Sequence, residues 1–128
     1  MIRMFSGNSA FNQDIGGWDV SKLTDMSYAF YNADAFNADL GGWNVSKLTD
    51  MRSAFYSADA FNQPIGGWDV SKLSDISYAF AFASTFDADI GAWDVPSDTI
   101  MTSAFYKSKK RFIEDCPSWA VGRAGDPC

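Results

Sequence analysis

The chain repeats itself every 25 residues, and that period constrains the fold more than any other feature of the sequence. Phe11, Phe36, Phe61 and Phe86 stand 25 apart, as do Trp18, Trp43, Trp68 and Trp93. Val20, Val45, Val70 and Val95 keep step with them, and so do Phe30, Phe55, Phe80 and Phe105. Further columns are Ile15/Leu40/Ile65/Ile90 and Met26/Met51/Ile76/Met101. Met1 and Phe5 fill the places of Met26 and Phe30, so the chain opens on the tail of a unit. After a one-residue slip, Phe112, Cys116, Trp119 and Val121 repeat the spacing of Phe11, Ile15, Trp18 and Val20. A single domain over 1–128 is expected: a partial unit at 1–10, four repeats over 11–110, and a degenerate cap over 111–128.

Within one unit two patterns alternate. Around "GGWDVS", Trp18 and Val20 alternate with Gly17, Asp19 and Ser21, which predicts a short strand with one buried face. In "LTDMSYAF", Met26, Ala29 and Phe30 share a helical stripe, with Thr24 placed as N-cap and Asp25 near the positive end of the helix dipole. Corresponding strands are expected to stack into a parallel sheet at about 4.8 Å. The fold class expected is α/β, a right-handed solenoid whose 25-residue unit is one short parallel strand plus one short helix.

At 128 residues and 47% hydrophobic content the chain can fill one core. No apolar run approaches a membrane span, and no signal peptide is visible. Residues 1–106 carry thirteen Asp against five basic residues, whereas 107–128 hold a basic cluster of Lys107, Lys109, Lys110 and Arg111. An acidic body argues against nucleic-acid binding, and the basic cluster reads as a solvated end. Fifteen of sixteen acidic residues are Asp, a bias towards tight corners because the short carboxylate bonds nearby backbone N–H groups.

The spacing Ile15-x-x-Trp18-x-Val20-x-x-Leu23 matches the opening of a leucine-rich repeat with Trp in a leucine place. The whole unit "FNQDIGGWDVSKLTDMSYAF" resembles the BspA-type leucine-rich repeats of bacterial and protist surface proteins, over essentially residues 1–106. That resemblance implies a leucine-rich-repeat-like solenoid acting in adhesion or protein recognition, at a cell surface or outside the cell. It names no ligand.

The Trp column, in phase with Val20 and Leu23, is expected in the core, each indole N–H reaching a neighbouring carbonyl. Asn12, Asn37, Asn62 and Asp87 are expected to form a polar ladder at a corner. The outward strand positions Asp19, Asn44, Asp69 and Asp94, with Ser21, Ser46 and Ser71, are the candidate binding face, and Lys22, Lys47 and Lys72 follow them. Tyr28 and Tyr78 share one position, and Tyr31, Tyr56 and Tyr106 another. These pack between units or form an interaction patch. Nothing demands a metal or cofactor: Asn44 interrupts the carboxylate row, and calcium wants six or more oxygens. With no His, Ser–His–Asp and Cys–His machinery are unavailable, so no catalytic residue is assigned. Cys116 and Cys128 leave two readings open, a buried small hydrophobe or a disulfide, and the resemblance favours the bridge.

The function expected is a non-enzymatic adhesion module, monomeric or part of a longer chain, binding a protein or glycan with the outward sheet face. The alternatives are a spacer section of a longer surface array and an Asp-dependent carbohydrate-active enzyme.

Overall fold

The computed structural model describes residues 1–111 and 115–128; the expected place of Phe112 falls outside them. Among the described residues there is no α-helix and no strand, only a 3₁₀ turn at Lys109–Arg111. The expected α/β solenoid of strand and helix is therefore incorrect. What forms instead is a repeat fold of 25-residue coils, each a succession of β-turns and short extended links, stacked around one continuous hydrophobic cluster.

Hydrogen bonding explains why the helix does not form. In the stretch expected to be helical, every second N–H closes a β-turn: Ala29 to the Met26 carbonyl, Tyr31 to Tyr28 and Ala33 to Phe30. The N–H groups between them point along the stack. Met26 donates to Asp50 (3.0 Å), Tyr28 to Arg52 (2.9 Å), Phe30 to Ala54 (2.8 Å) and Asn32 to Tyr56 (2.8 Å). A two-turn helix would leave most of its end groups without partners, whereas this arrangement satisfies both sets. The pattern recurs one coil on, from Met51 to Ser57. Thr24 does not act as a helix cap; Thr49 donates to its carbonyl from both backbone and hydroxyl.

The expected sheet is missing for a related reason. At "GGWDV" the Trp18 N–H closes a turn onto Ile15, and the link between coils is made by side chains. The indole N–H groups of Trp43, Trp68, Trp93 and Trp119 donate to the carbonyls of Ile15, Leu40, Ile65 and Ile90, one coil back. Among the described residues, parallel pairing is confined to single-residue bridges at Asp25, Asp50, Asp75 and Ile100.

The core consists of aromatic columns. Within a coil Phe30 stacks on Phe36 at 4.0 Å, as Phe55 does on Phe61 at 4.2 Å. Between coils Phe30, Phe55 and Phe80 stack at 5.2 and 5.4 Å, and Trp43, Trp68 and Trp93 at 6.5 and 6.4 Å. All seven of Phe30, Phe36, Phe55, Phe61, Phe80, Phe86 and Phe105 are fully buried. Trp18 departs from its column. It is 44% exposed where Trp43 and Trp68 are each 4%, because no coil lies on its outer side.

At the other end the stack is closed. Ser103 and Phe105, which would donate to a following coil, donate to the carbonyls of Gly125 and Pro127. Trp119 stacks on Trp93 at 6.0 Å, and Cys116 is bonded to Cys128 across a Cα–Cα distance of 6.1 Å.

Candidate functional site

The residues expected to form the binding face are corner builders. The Asp19 carboxylate accepts from the Ser21 N–H (3.0 Å) and hydroxyl (2.6 Å), and Asp69 accepts from Ser71 in the same way. Asn44 accepts from the Ser46 N–H at 3.2 Å. The Ser21 hydroxyl, followed by the backbone N–H of Ser21, holds the Asp19 carboxyl below its ordinary value. Ser71 does the same for Asp69. Asp94 is exposed and has Pro96 where Ser21 stands in the first repeat, so that corner lacks the Ser bond. No sheet carries these residues, and one side-chain oxygen each of Asp19, Asn44 and Asp69 is held by its own turn.

The same economy explains the abundance of Asp. Asp14, Asp39 and Asp89 accept from the N–H of Gly16, Gly41 and Gly91, two residues on. Asp25, Asp50 and Asp75 accept from Ser27, Arg52 and Ser77. The amide column is a ladder between coils: the side-chain oxygens of Asn12, Asn37 and Asn62 take the N–H of Asn37, Asn62 and Asp87. Among the described residues no group of three His, Cys, Asp or Glu is placed to hold a metal ion.

A different surface emerges on the turn-rich side. Tyr31 stacks on Tyr56 at 4.8 Å, Tyr56 meets Phe82 at 5.1 Å, and Phe82 meets Tyr106 edge-on at 5.5 Å. Tyr28 joins the row beside Tyr31 at 5.7 Å. Arg3 lies over the Tyr28 ring at 4.6 Å, and Lys107 is 5.5 Å from both Phe82 and Tyr106. The result is an aromatic ridge along the stack with a cation at each end. Tyr78 and Tyr106 are 42% and 46% exposed, and Tyr28, Tyr31, Tyr56 and Phe82 are half-buried. Burial, then the neighbouring Tyr31 and Tyr78, pushes the Tyr56 hydroxyl above its ordinary value.

The backbone beneath the ridge is unusual. Two positions of every coil adopt positive φ: Arg3, Tyr28, Ser53, Tyr78 and Ser103 at one, and Gly7, Asn32, Ser57, Phe82 and Lys107 at the other. Left-handed backbone favours glycine and asparagine, and costs other residues roughly 1–2 kcal/mol. Gly7 and Asn32 are the inexpensive solutions. Tyr28, Tyr78 and Phe82 are not, and a bulky ring at such a position needs a reason beyond the turn itself. The sequence signal was the Tyr pairs at 25- and 50-residue spacing; their union into one ridge depends on turns that no Gly advertises.

A family model described as "Mycoplasma protein of unknown function, DUF285" matches residues 1–124. The chain belongs to the DUF285 family. The expected membership of the BspA-type leucine-rich repeats is thereby corrected: that family is not matched, and the coils carry neither the strand nor the sheet of a leucine-rich repeat. No curated protein and no solved structure matches the chain. The DUF285 match spans every coil and most of the C-terminal cap, so the repeat architecture described above is what the family model covers in this chain.

Proposed function

We propose that this DUF285 chain is a non-catalytic recognition module whose aromatic ridge binds a protein partner. The observation that carries the reading is the set of aromatic side chains at left-handed positions, where Gly7 and Asn32 show the cheaper alternatives. Tyr and Arg are the side chains that most often anchor protein interfaces, since they combine large contact area with a polar tip. The ridge rings stack on one another and stay partly exposed, a surface suited to the mixed apolar and polar face of a polypeptide. A rigid scaffold supports it, because the neighbouring N–H groups are bonded coil to coil and need not reorganise on binding.

Catalysis draws no support from the carboxylates. A general acid needs a raised pKa, and those of Asp19 and Asp69 are lowered by their own corners. The Cys116–Cys128 bridge favours an oxidising compartment, at the cell surface or outside the cell.

The test compares wild type with Tyr78→Ser and Tyr106→Ser on an array of extracellular proteins and glycans. Ser already occupies the Tyr78 position in the coils of Ser53 and Ser103, so the first substitution preserves the fold. Protein binding that falls at least tenfold in both variants is expected. Binding unchanged in both, or confined to glycans, defeats the proposal.

A further inference from the structure

One asparagine stands where the other coils carry aspartate. Asp19, Asp69 and Asp94 occupy the outward corner position, and Asn44 replaces them in the second repeat, followed by Val45 and Ser46. Asn-x-Ser, with x other than Pro, is the tripeptide that accepts N-linked oligosaccharide in exported chains. The other asparagines, Asn8, Asn12, Asn32, Asn37 and Asn62, have no Ser or Thr two residues on. Such a tripeptide also occurs in chains that carry no sugar, so its setting decides.

As a corner builder Asn44 is the poorer residue. Asp19 and Asp69 each take both the N–H and the hydroxyl of the following serine, the hydroxyl at 2.6 Å. Asn44 takes only the Ser46 N–H, at 3.2 Å. What the amide adds is a nitrogen, which no carboxylate has. Because Oδ1 accepts from the Ser46 N–H, Nδ2 is the atom left over. Among the described residues neither that nitrogen nor the Ser46 hydroxyl has a hydrogen-bond partner. Trp43 and Val45 turn inward, while Asn44 is exposed and Ser46 half-buried. A Cβ built on Gly42, or on Gly17 or Gly67 in the adjoining coils, meets nothing within 4 Å, so the surface beside this corner has room for a bulky substituent. The Cys116–Cys128 bridge fits the oxidising route of an exported chain.

We propose that Asn44 is a glycosylation site, its Nδ2 carrying an N-linked oligosaccharide and its Ser46 hydroxyl serving recognition by the transferase. The donor is an oligosaccharide on a polyprenyl diphosphate. The Asn44 Nδ2 attacks C1 of the first sugar, an N–C1 bond forms, and the C1–O bond to the diphosphate breaks. The lipid diphosphate leaves with the bonding electron pair, and one Nδ2 proton passes to a base of the transferase. Transfer takes place on the chain as it is exported, and the outward corner then accommodates the sugar without disturbing the inward Trp43 and Val45. A glycan there covers the neighbouring corners of Asp19 and Asp69, whose carboxylates serve their own turns.

The experiment is mass spectrometry of the full chain recovered from the cells that make it, with variants expressed in the same cells. Trypsin cuts after Lys22 and Lys47 and releases residues 23–47, which hold Asn32, Asn37 and Asn44. This peptide is expected to carry the oligosaccharide, and electron-transfer fragmentation should assign it to Asn44. Ser46→Ala should lose the sugar and Ser46→Thr should keep it. Asn44→Asp should lose it with the fold intact, since Asp already fills this corner in the other repeats. A peptide 23–47 without sugar overturns the proposal. So does a sugar on Asn32, Asn37 or Ser46, or one that survives Ser46→Ala or Asn44→Asp.

Discussion

Trp68 and Trp18 occupy the same place in two coils, and comparing their replacement by Ala isolates what stacking contributes. Trp68 is 4% exposed, lies between Trp43 and Trp93 at 6.5 and 6.4 Å, and donates its indole N–H to Leu40 at 3.0 Å. Truncating a buried Trp costs about 3–5 kcal/mol when the cavity cannot collapse. Here the flanking rings are fixed by their own bonds to Ile15 and Ile65, which prevents collapse. Leu40 keeps the turn bond from the Trp43 N–H, so the lost indole bond adds only about 1 kcal/mol. Trp18 is 44% exposed, has no indole acceptor, and meets a single ring, Phe5, at 5.9 Å. Its truncation is expected to cost about 1–2 kcal/mol, the transfer energy of a partly buried side chain. The difference is thus at least about 2 kcal/mol, or several degrees in Tm for a chain of this size. Urea unfolding followed by circular dichroism measures it. Equal losses in the two variants would refute the claim that burial between coils, and not the residue type, supplies the stability.

Two further predictions follow from the corners. A Cβ on Gly41 would lie 2.8 Å from the Pro64 carbonyl oxygen, while one on Gly42 meets nothing within 4 Å. Gly41→Ala should therefore cost about 1–3 kcal/mol in urea, whereas Gly42→Ala should be neutral or add about 0.4–1 kcal/mol; a loss in Gly42→Ala equal to that in Gly41→Ala would contradict the packing. Acid unfolding should follow the depressed carboxyls of Asp19, Asp69 and Asp87, held down by Ser21, Ser71 and Lys109 respectively. Their contribution is complete above the ordinary value of 3.8 and disappears as pH falls through the lower native values, so Ser71→Ala should flatten the acid limb of a Tm-against-pH curve. An acid limb unchanged in Ser71→Ala would show that the Asp69 corner does not titrate as described.

The period, the columns and the inward residues were legible in the sequence because identical coils require identical filling. Met26, Ala29 and Phe30 are indeed buried, as are Trp43 and Val45. What they are buried in was not legible. A string of β-turns turns inward at the same three- and four-residue intervals as a short helix, so apolar spacing alone cannot separate the two. The deciding feature is positive φ at Tyr28 and Asn32, and Tyr gives no sign of it. Likewise the alternation of Trp18 and Val20 is real, but the links between coils there run through the Trp side chains, which spacing does not reveal. Choosing Asp19, Asn44 and Asp69 as a binding row followed from assuming a sheet to display them. One oxygen of each of these side chains is held two residues away, a use at which the Asp-for-Glu bias hints.

Because every interior coil meets the same neighbours, a position that packing dictates carries the same kind of residue in each coil. The Phe30, Trp43 and Met26 columns obey this throughout. The second glycine of the corner does not, since Ala92 stands there in the last repeat, and its open surroundings explain the tolerance. The left-handed positions vary far more, through Arg3, Tyr28, Ser53, Tyr78 and Ser103 at one place and Gly7, Asn32, Ser57, Phe82 and Lys107 at the other. The backbone conformation is the same at all ten, so the coil does not select among these side chains. Stacking alone would favour the same ring in every coil, as it does in the Phe columns. The ridge joins two of these variable positions, through Tyr28 and Phe82, to the Tyr31, Tyr56 and Tyr106 column, which is why the ridge, and not the repeated Gly-Gly-Trp or its neighbouring carboxylates, is where recognition is placed.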